Sequence, residues 1–315
     1  MCVWATADQY YTIMTTKLFD REWFLRKTIK LLRKAGMSER ADDISLRHKI
    51  SLVYKEEFHR KMHWHNPKTL SEKLIWLAYY WRDPIKARLA DKYLMRDYVT
   101  KEKGLPADIL VPLLGVWEKA EDIDYDALPD SFVLKCNHGC GYNILIPNKR
   151  LIDREKVNKQ LNTWLNEYYE GGVSEFHYMD IHRHLILAEP WLGNPDSGIP
   201  PADIKIHVCN GRPCWIVYCF DRVDGQAKYG TFTPEWVQAY TVKGETKSDV
   251  PRPKALEKML EYATILGKDF PFVRVDFYEV DSVPYLGELT FTPLGNMDTE
   301  YKDEYDRKFG DMLTL

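Results

Sequence analysis

The sequence predicts a mixed helix-and-strand protein, α/β or α+β, with the two element types interleaved along the chain. Three observations predict it. The stretches 204–220 and 271–291 read as β-hairpins built from apolar strands. The stretches 17–36, 66–81, 153–170 and 253–268 read as helices, with apolar residues at helical spacing. No internal repeat or low-complexity tract interrupts this alternation. The 315 residues carry 44 Lys+Arg against 47 Asp+Glu, a net charge of −3, and 45% are hydrophobic. Such a chain is neither disordered nor collagenous, and it lacks the basic excess of a bulk nucleic-acid binder. Its length suggests about two domains.

In chain order, the first element is KLFDREWFLRKTIKLLRKAG (17–36), where Leu18, Leu25, Ile29 and Leu32 form one face and Gly36 a stop. Its other face is basic: 17–62 holds 13 Lys/Arg against 7 Asp/Glu, a local charge of +6. A solvated basic face is the simpler expectation; a peripheral membrane or polyanion contact is the sharper one. No stretch has the ~20 apolar residues of a membrane span, and the N-terminus lacks a secretory pattern. The six cysteines, Cys2, Cys136, Cys140, Cys209, Cys214 and Cys219, are therefore expected as reduced thiols in a cytoplasm. In NPKTLSEKLIWLAYYW (66–81), Thr69 and Glu72 fit a capping box. ADILVPLLGVW (107–117) reads as an edge strand because of its embedded proline. Residues 121–147 read as an acidic turn, then strand, glycine loop and strand; LILAEPWL (185–192) is strand-like. Asn210-Gly211 is the strongest turn signal in the chain.

Two stretches carry candidate chemistry. In the last hairpin, Arg274 and Asp276 share a strand face, as do Glu288 and Thr290 on the returning strand. A turn near Ser282 sets Asp276 opposite Glu288 and Arg274 opposite Thr290. Two facing carboxylates need a cation between them, and hard oxygen ligands suit Mg²⁺ completed by phosphate oxygens. A solvated hairpin is the bland alternative, but the surrounding strands are too apolar to carry unpartnered charge. In FVLKCNHGCGYN (132–143), Lys135 ends a strand before a loop with Gly139 and Gly141, whose backbone N–H groups can meet phosphate. Cys136, His138 and Cys140 offer a zinc alternative, weakened by the absence of a CxxC pair. His59, His63, His177, His182 and His184 show no paired ligand signature.

Taken in order, NPKTLSEKLIWL, LADKYLMRDYV, ILVPLLGVW, LPDSFVLKCNHGCG, KIHVCNGRP and FPFVRVDFYEV followed by YLGELTFTP resemble the TupA-like ATP-grasp family, named for teichuronopeptide biosynthesis. The resemblance runs from about Asn66 to the C-terminus. It implies an α+β ATP-grasp fold in which two α+β subdomains clamp ATP. The expected organisation is a helical extension over 1–65, a lead-in over 66–120, a lid over 121–192 and a C-terminal subdomain over 193–315. The resemblance makes Lys92 and Lys135 the phosphate lysines, and His138–Asn143, with Gly139 and Gly141, a flap over the phosphates. Glu189, Pro190 and Leu192 belong to the strand whose backbone reads adenine. Asp203, with Asp196 behind it, is the candidate for the ribose; Lys205, Arg222 and Lys228 are further cations. Asp276, Glu288 and Thr290 fall at the metal positions, with Thr290 where many superfamily members have Asn. Arg274 matches the arginine that stabilises acyl-phosphate and tetrahedral states.

The activity so implied is ATP- and Mg²⁺-dependent ligation of a carboxylate to an amine through an acyl-phosphate. The implied setting is attachment of an amine or amino acid to a uronic acid of a cell-surface or capsular glycan in a bacterial cytoplasm, and a homodimer is the expected state. A glycosyltransferase, a peptide or natural-product ligase and a non-catalytic nucleotide-binding scaffold are the alternatives.

Overall fold

A computed structural model describes residues 24–315 except 170, 224, 225, 246 and 248. The chain divides into two compact units, Met1–Met62 and His63–Leu315. In the first, residues 24–34 are helical, Gly36 turns the chain at φ 74°, and α1 (Ser38–Phe58) follows. Arg33 Nη2 donates to Asp42 Oδ1 at 2.7 Å, linking the two helices. Of the helix expected over 17–36, residues 17–23, including Leu18, lie outside the described residues. Among the described residues no helix is long and apolar enough to cross a membrane.

The second unit opens with α2 (Leu70–Tyr80), and the capping box is present. Thr69 Oγ1 accepts from the Glu72 N–H, and Glu72 Oε2 accepts from the Thr69 N–H at 3.2 Å. Asp306 joins this helix start, taking the Ser71 N–H at 2.9 Å and its hydroxyl at 2.7 Å. The C-terminus is thereby tied to a segment 235 residues earlier.

A four-stranded antiparallel sheet takes three of its strands from the stretch expected as the lid. It comprises β1 (Gly115–Trp117), β2 (Phe132–Cys136), β3 (Asn143–Ile146) and β4 (Ile186–Pro190), ordered β1-β4-β2-β3. The expected edge strand over 107–117 shrinks to its last three residues. Its proline lies in the irregular approach, where Leu110 makes one bridge to Leu286. Helix α3 (Arg154–Leu165) covers one face, and Phe132, Leu134, Ile146, Leu161 and Ile186 are buried together there.

A five-stranded antiparallel sheet forms the body: β5 (Asp203–Cys209), β6 (Arg212–Val223), β7 (Gln226–Phe232), β8 (Phe272–Val280) and β9 (Val283–Thr290), ordered β7-β6-β5-β8-β9. Asn210 and Gly211 turn β5 into β6 at φ 48° and 78°, the left-handed pair that a tight hairpin requires. Helix α4 (Leu256–Gly267) packs with Ile204, Ile206, Val273, Val275 and Phe277 on one face. Alternation then sends Asp203, Lys205, His207, Arg274, Asp276 and Tyr278 to the opposite face. A last helix, α5 (Asp303–Met312), has no counterpart in the sequence reading: its polar composition hides the buried Phe309 that stacks on Trp215 at 4.1 Å.

Candidate active site

The β8–β9 hairpin positions the charged face. Asp281 and Ser282, both at positive φ, form a two-residue turn pairing Val280 with Val283. Strict pairing from that turn would set Asp276 against Gly287. A bulge between Asp276 and Phe277 shifts the register by one, so Asp276 opposes Glu288 and Arg274 opposes Thr290. The pairing expected from a turn near Ser282 is thus realised through Gly287. A Cβ there would lie 3.0 Å from the Tyr278 ring, so the glycine gives that ring its place.

The cation between the carboxylates is a guanidinium. Arg274 donates from Nε to Asp276 Oδ1 and from Nη2 to Asp276 Oδ2, both at 2.7 Å. Nη2 also reaches Glu288 Oε1 at 3.1 Å and Thr290 Oγ1 at 3.2 Å. The Thr290 hydroxyl donates to Glu288 Oε1 at 3.1 Å. Lys205 Nζ meets Asp276 Oδ2 at 2.7 Å and Asp203 at 3.4 Å. Burial alone would raise the Asp276 pKa, but Arg274 and Lys205 hold it below the usual carboxylate value. Burial would lower the Lys205 ammonium, and Asp276 keeps it above normal. Both groups stay ionised, as a buried multiply paired cluster requires.

The lid presents the opposite wall. Lys135 pairs with Glu189 at 2.5 Å, and its ammonium lies 5.9 Å from the Tyr278 ring on β8. Lys135, Asn143, Glu189, Pro190, Leu192 and Tyr278 line one cleft of about 350 Å³, with Val133, Leu145 and Trp191 among its apolar surfaces. Burial, then the fields of Asp203 and Glu288, push the Tyr278 phenol well above its usual pKa and keep it neutral. Tyr278 was missed in the sequence, although continuing the alternation Arg274, Asp276 by two residues points to it.

The glycine loop is anchored on its own side. Lys92 Nζ donates to the Gly139 carbonyl at 2.8 Å, and its backbone N–H donates to the Asn137 carbonyl at 3.0 Å. Asp91 takes the Asn137 amide at 2.7 Å, and Asn137 in turn accepts the Leu185 N–H. Gly139 and Gly141 both sit at φ 76°. The His138 side chain leaves the loop for the lid core. Fully buried, it stacks on His184 at 3.6 Å and bonds the Trp164 carbonyl at 3.0 Å. Burial, with the His184 ring beside it, lowers its pKa to about 4. Only the backbone of His138 is therefore available to the cleft.

Of the other cations, Lys228 pairs with Asp221 on the surface, and the Arg222 side chain lies outside what is described. Asp203 is buried on the charged face opposite Tyr278, whereas Asp196 lies in an exposed turn. Among the described residues no group of three or more His, Cys, Asp or Glu is placed to hold a metal. The zinc alternative thus has no geometry behind it: Cys136 is in the lid core, His138 is stacked, and Cys140 is exposed. For Mg²⁺ the accessible hard oxygen donor is Glu288; Asp276 is paired with it across the ladder, but both Asp276 oxygens already accept from Arg274 and Lys205.

Two antiparallel sheets meet at this cleft, with Lys135 and Glu189 on one and, on the other, Tyr278 from the strand that carries Arg274 and Asp276; this is the layout of the ATP-grasp class of protein. The chain belongs to the TupA-like ATP-grasp family, whose family model matches residues 72–314. The chain is also similar to D-alanine–D-alanine ligase from Bacillus anthracis complexed with ATP, at 14% identity and a TM-score of 0.42, covering 76% of this chain and 66% of that one. It is similar to L-amino acid ligase from Bacillus licheniformis at 12% identity and a TM-score of 0.41, covering 70% and 47%. A third similar structure is the ATP-grasp ligase PsnB complexed with minimal precursor, Mg and ADP, at 12% identity and a TM-score of 0.35, covering 70% and 58%. The chain thus spans less than two thirds of the length of each of these three proteins. A comparison with curated proteins finds no match.

Proposed function

We propose that this protein is an ATP-dependent carboxylate–amine ligase. The observation that carries the reading is the cluster of Arg274, Lys205, Asp276 and Glu288 on the face of β5, β8 and β9 that also carries Tyr278, with Lys135 across the cleft 5.9 Å from the Tyr278 ring. In the reaction, a substrate carboxylate attacks the γ-phosphorus of ATP and expels ADP, and a neutral amine then attacks the acyl-phosphate carbonyl, expelling phosphate and losing a proton to give the amide. The difficulty is repulsion between carboxylate and triphosphate, which preorganised cations offset most strongly where water is excluded. Lys135 exchanges Glu189 for phosphate oxygens. Arg274, held by Asp276, presents its guanidinium to the developing charge. Lys92 holds the Gly139 carbonyl and so aims the loop N–H groups of Gly139–Gly141. The apolar walls take the base, with the Pro190 carbonyl as acceptor and the Leu192 N–H as donor, and Asp203 receives the ribose. Glu288, with Asp276 and Thr290 beside it, would hold Mg²⁺, which when bound neutralises phosphate charge.

For the substrate, the family's name supports a uronic acid of a cell-surface glycan as the carboxylate, with an amine or amino acid joined to it. The basic N-terminal segment suits docking of such a polyanion. The test is a panel of uronic acids and amines, with and without MgATP, scored by ADP release and product mass. Lys135→Ala and Glu288→Ala should each abolish amine-dependent ADP release in a folded protein; full turnover in either removes that residue from the mechanism. Sugar-nucleotide consumption without ATP cleavage would instead make the protein a glycosyltransferase.

A further inference from the structure

Five of the six cysteines lie among the described residues, and all five are free thiols. Two of them meet where the β5–β6 hairpin turns. The register pairs Cys209 with Arg212 and Val208 with Pro213, then skips to His207 with Trp215. Cys214 is the extra residue of this bulge. Opposed residues share a face and alternate residues return to it, so Cys214, two beyond Arg212, is on the face of Cys209. Both pack there with Leu70, Trp215, Phe309 and Leu313.

The two side chains also bond each other. The Cys214 S–H donates to the Arg212 carbonyl at 3.3 Å, which turns its sulfur toward the residue paired with Cys209. That sulfur accepts from the Cys209 thiol and from the Cys209 backbone N–H. The partners differ in reach: Cys209 is 1% exposed, whereas Cys214 is half-buried and open to solvent. They differ in acidity too. The bonds from Cys209, with the Arg212 guanidinium nearby, lower the Cys214 pKa to about 7; the donating Cys209 thiol is raised by the same bond and by burial. A low thiol that solvent reaches, beside a high thiol that it does not, has the makings of an attacking and a resolving sulfur.

The surroundings hold the hairpin end in place. Asn210 Nδ2 donates to the Thr314 carbonyl at 2.9 Å, and its Oδ1 accepts the Thr314 N–H at 2.8 Å. Lys73 Nζ donates to the Gly310 and Leu313 carbonyls at 2.8 and 2.7 Å. The turn, α2 and the C-terminal tail thus close around one point, and the sulfurs stay within reach of each other. A disulfide asks for Cα atoms about 4.4–6.8 Å apart, a spacing that neighbouring strands offer.

We propose that Cys209 and Cys214 form a reversible disulfide, with Cys214 as the attacking thiol, Cys209 as the resolving thiol and a small disulfide of the glutathione class as the oxidant. The Cys214 thiolate attacks one sulfur of the small disulfide and expels the other as a thiolate, which takes up the proton that Cys214 released. Cys209 then gives up its proton and attacks the Cys214 sulfur, expelling the second small thiolate, which takes that proton. The protein pair loses two electrons and two hydrogens, and the small disulfide becomes two thiols. Excess dithiol reverses the sequence. The inference does not depend on the ligase reading.

The test treats the folded full chain with glutathione disulfide and then blocks remaining thiols with N-ethylmaleimide in denaturant. The tryptic peptide 206–222, intact across Arg212-Pro213, is weighed; it holds Cys209, Cys214 and Cys219. In the wild-type chain it should be two hydrogens lighter and carry one label. In Cys219→Ser it should be equally light and carry none. Dithiothreitol before blocking should restore every label. Cys209→Ser should stop with glutathione on Cys214, and Cys214→Ser should react at neither position. The rate should rise through about pH 7 with the Cys214 thiolate and then level off. A wild-type peptide that keeps all its labels, or that holds glutathione on Cys214 without closing the bond, would overturn the inference. So would a light peptide in Cys214→Ser. The wild-type and Cys219→Ser masses decide the bond without altering either proposed partner.

Discussion

On the charged face of the five-stranded sheet, the Arg274 guanidinium reaches Asp276 through two bonds and also touches Glu288 and Thr290, while Lys205 holds Asp276 and Asp203. On the lid wall, Lys135 has one ion-pair partner among the described residues, Glu189. The body cluster is over-determined: no single ligand oxygen replaces its bonds, so it stays put while charge builds in front of it. The lid pair is a single bond between a flexible ammonium and a largely buried carboxylate that lines the cleft, and phosphate has one bond to replace. A nucleotide site needs both behaviours, one preorganised and one exchangeable.

The largest expected effect breaks the body wall. Arg274→Leu leaves the Asp276 carboxylate buried with Lys205 alone and should cost about 3–5 kcal/mol in urea unfolding, because an uncompensated buried charge is left behind. Adding Asp276→Leu to it should recover part of that loss; a single-variant cost under about 1 kcal/mol would mean that the cluster is not pre-formed.

Next comes acid, which tests the lid. Burial lowers His138 to about 4 and His177 to about 3, from a usual value of 6.5. Below pH 6.5 the unfolded chain binds protons that the folded chain refuses, so stability falls with falling pH down to about 4 and 3 respectively. Each histidine contributes a slope of at most about 1.4 kcal/mol per pH unit. Melting curves between pH 7 and 4.5 should therefore steepen downward, and His177→Phe should flatten them; identical slopes in that variant would contradict its buried neutral state.

Gly287→Ala sharpens the register argument. The added methyl meets the Tyr278 ring at 3.0 Å and should cost about 1–2 kcal/mol, while raising the KM for ATP more than it lowers the melting temperature. The smallest stability effect belongs to the exchangeable pair. Since Lys135→Met alone would leave the buried Glu189 carboxylate unpaired, the double variant Lys135→Met with Glu189→Gln is the one that should change unfolding by under about 1 kcal/mol and yet weaken nucleotide binding, measured by calorimetry, at least about tenfold. A large stability loss there would place Lys135 with the rigid wall and erase the contrast.

The sequence by itself determined what depends on neighbours along the chain. Alternation put Arg274 with Asp276 and Glu288 with Thr290, Asn210-Gly211 set a hairpin, and Thr69 with Glu72 capped a helix, because each is fixed by a period of 2 or 3.6 or by one turn of backbone. Lys135 was legible as the end of an apolar strand before a glycine loop. The tertiary structure alone decided the rest. It turned His138 away from the loop into the lid core, because stacking on His184 outweighs exposure of a neutral ring. It gave Lys135 to Glu189 and brought Tyr278 under it, because those contacts join strands 54 and 143 residues apart. It also closed the end of the β5–β6 hairpin with the C-terminal tail, which Asn210 meets at Thr314, 104 residues further on. No local pattern encodes that meeting, since only the packing of α2, β5 and α5 brings the two together.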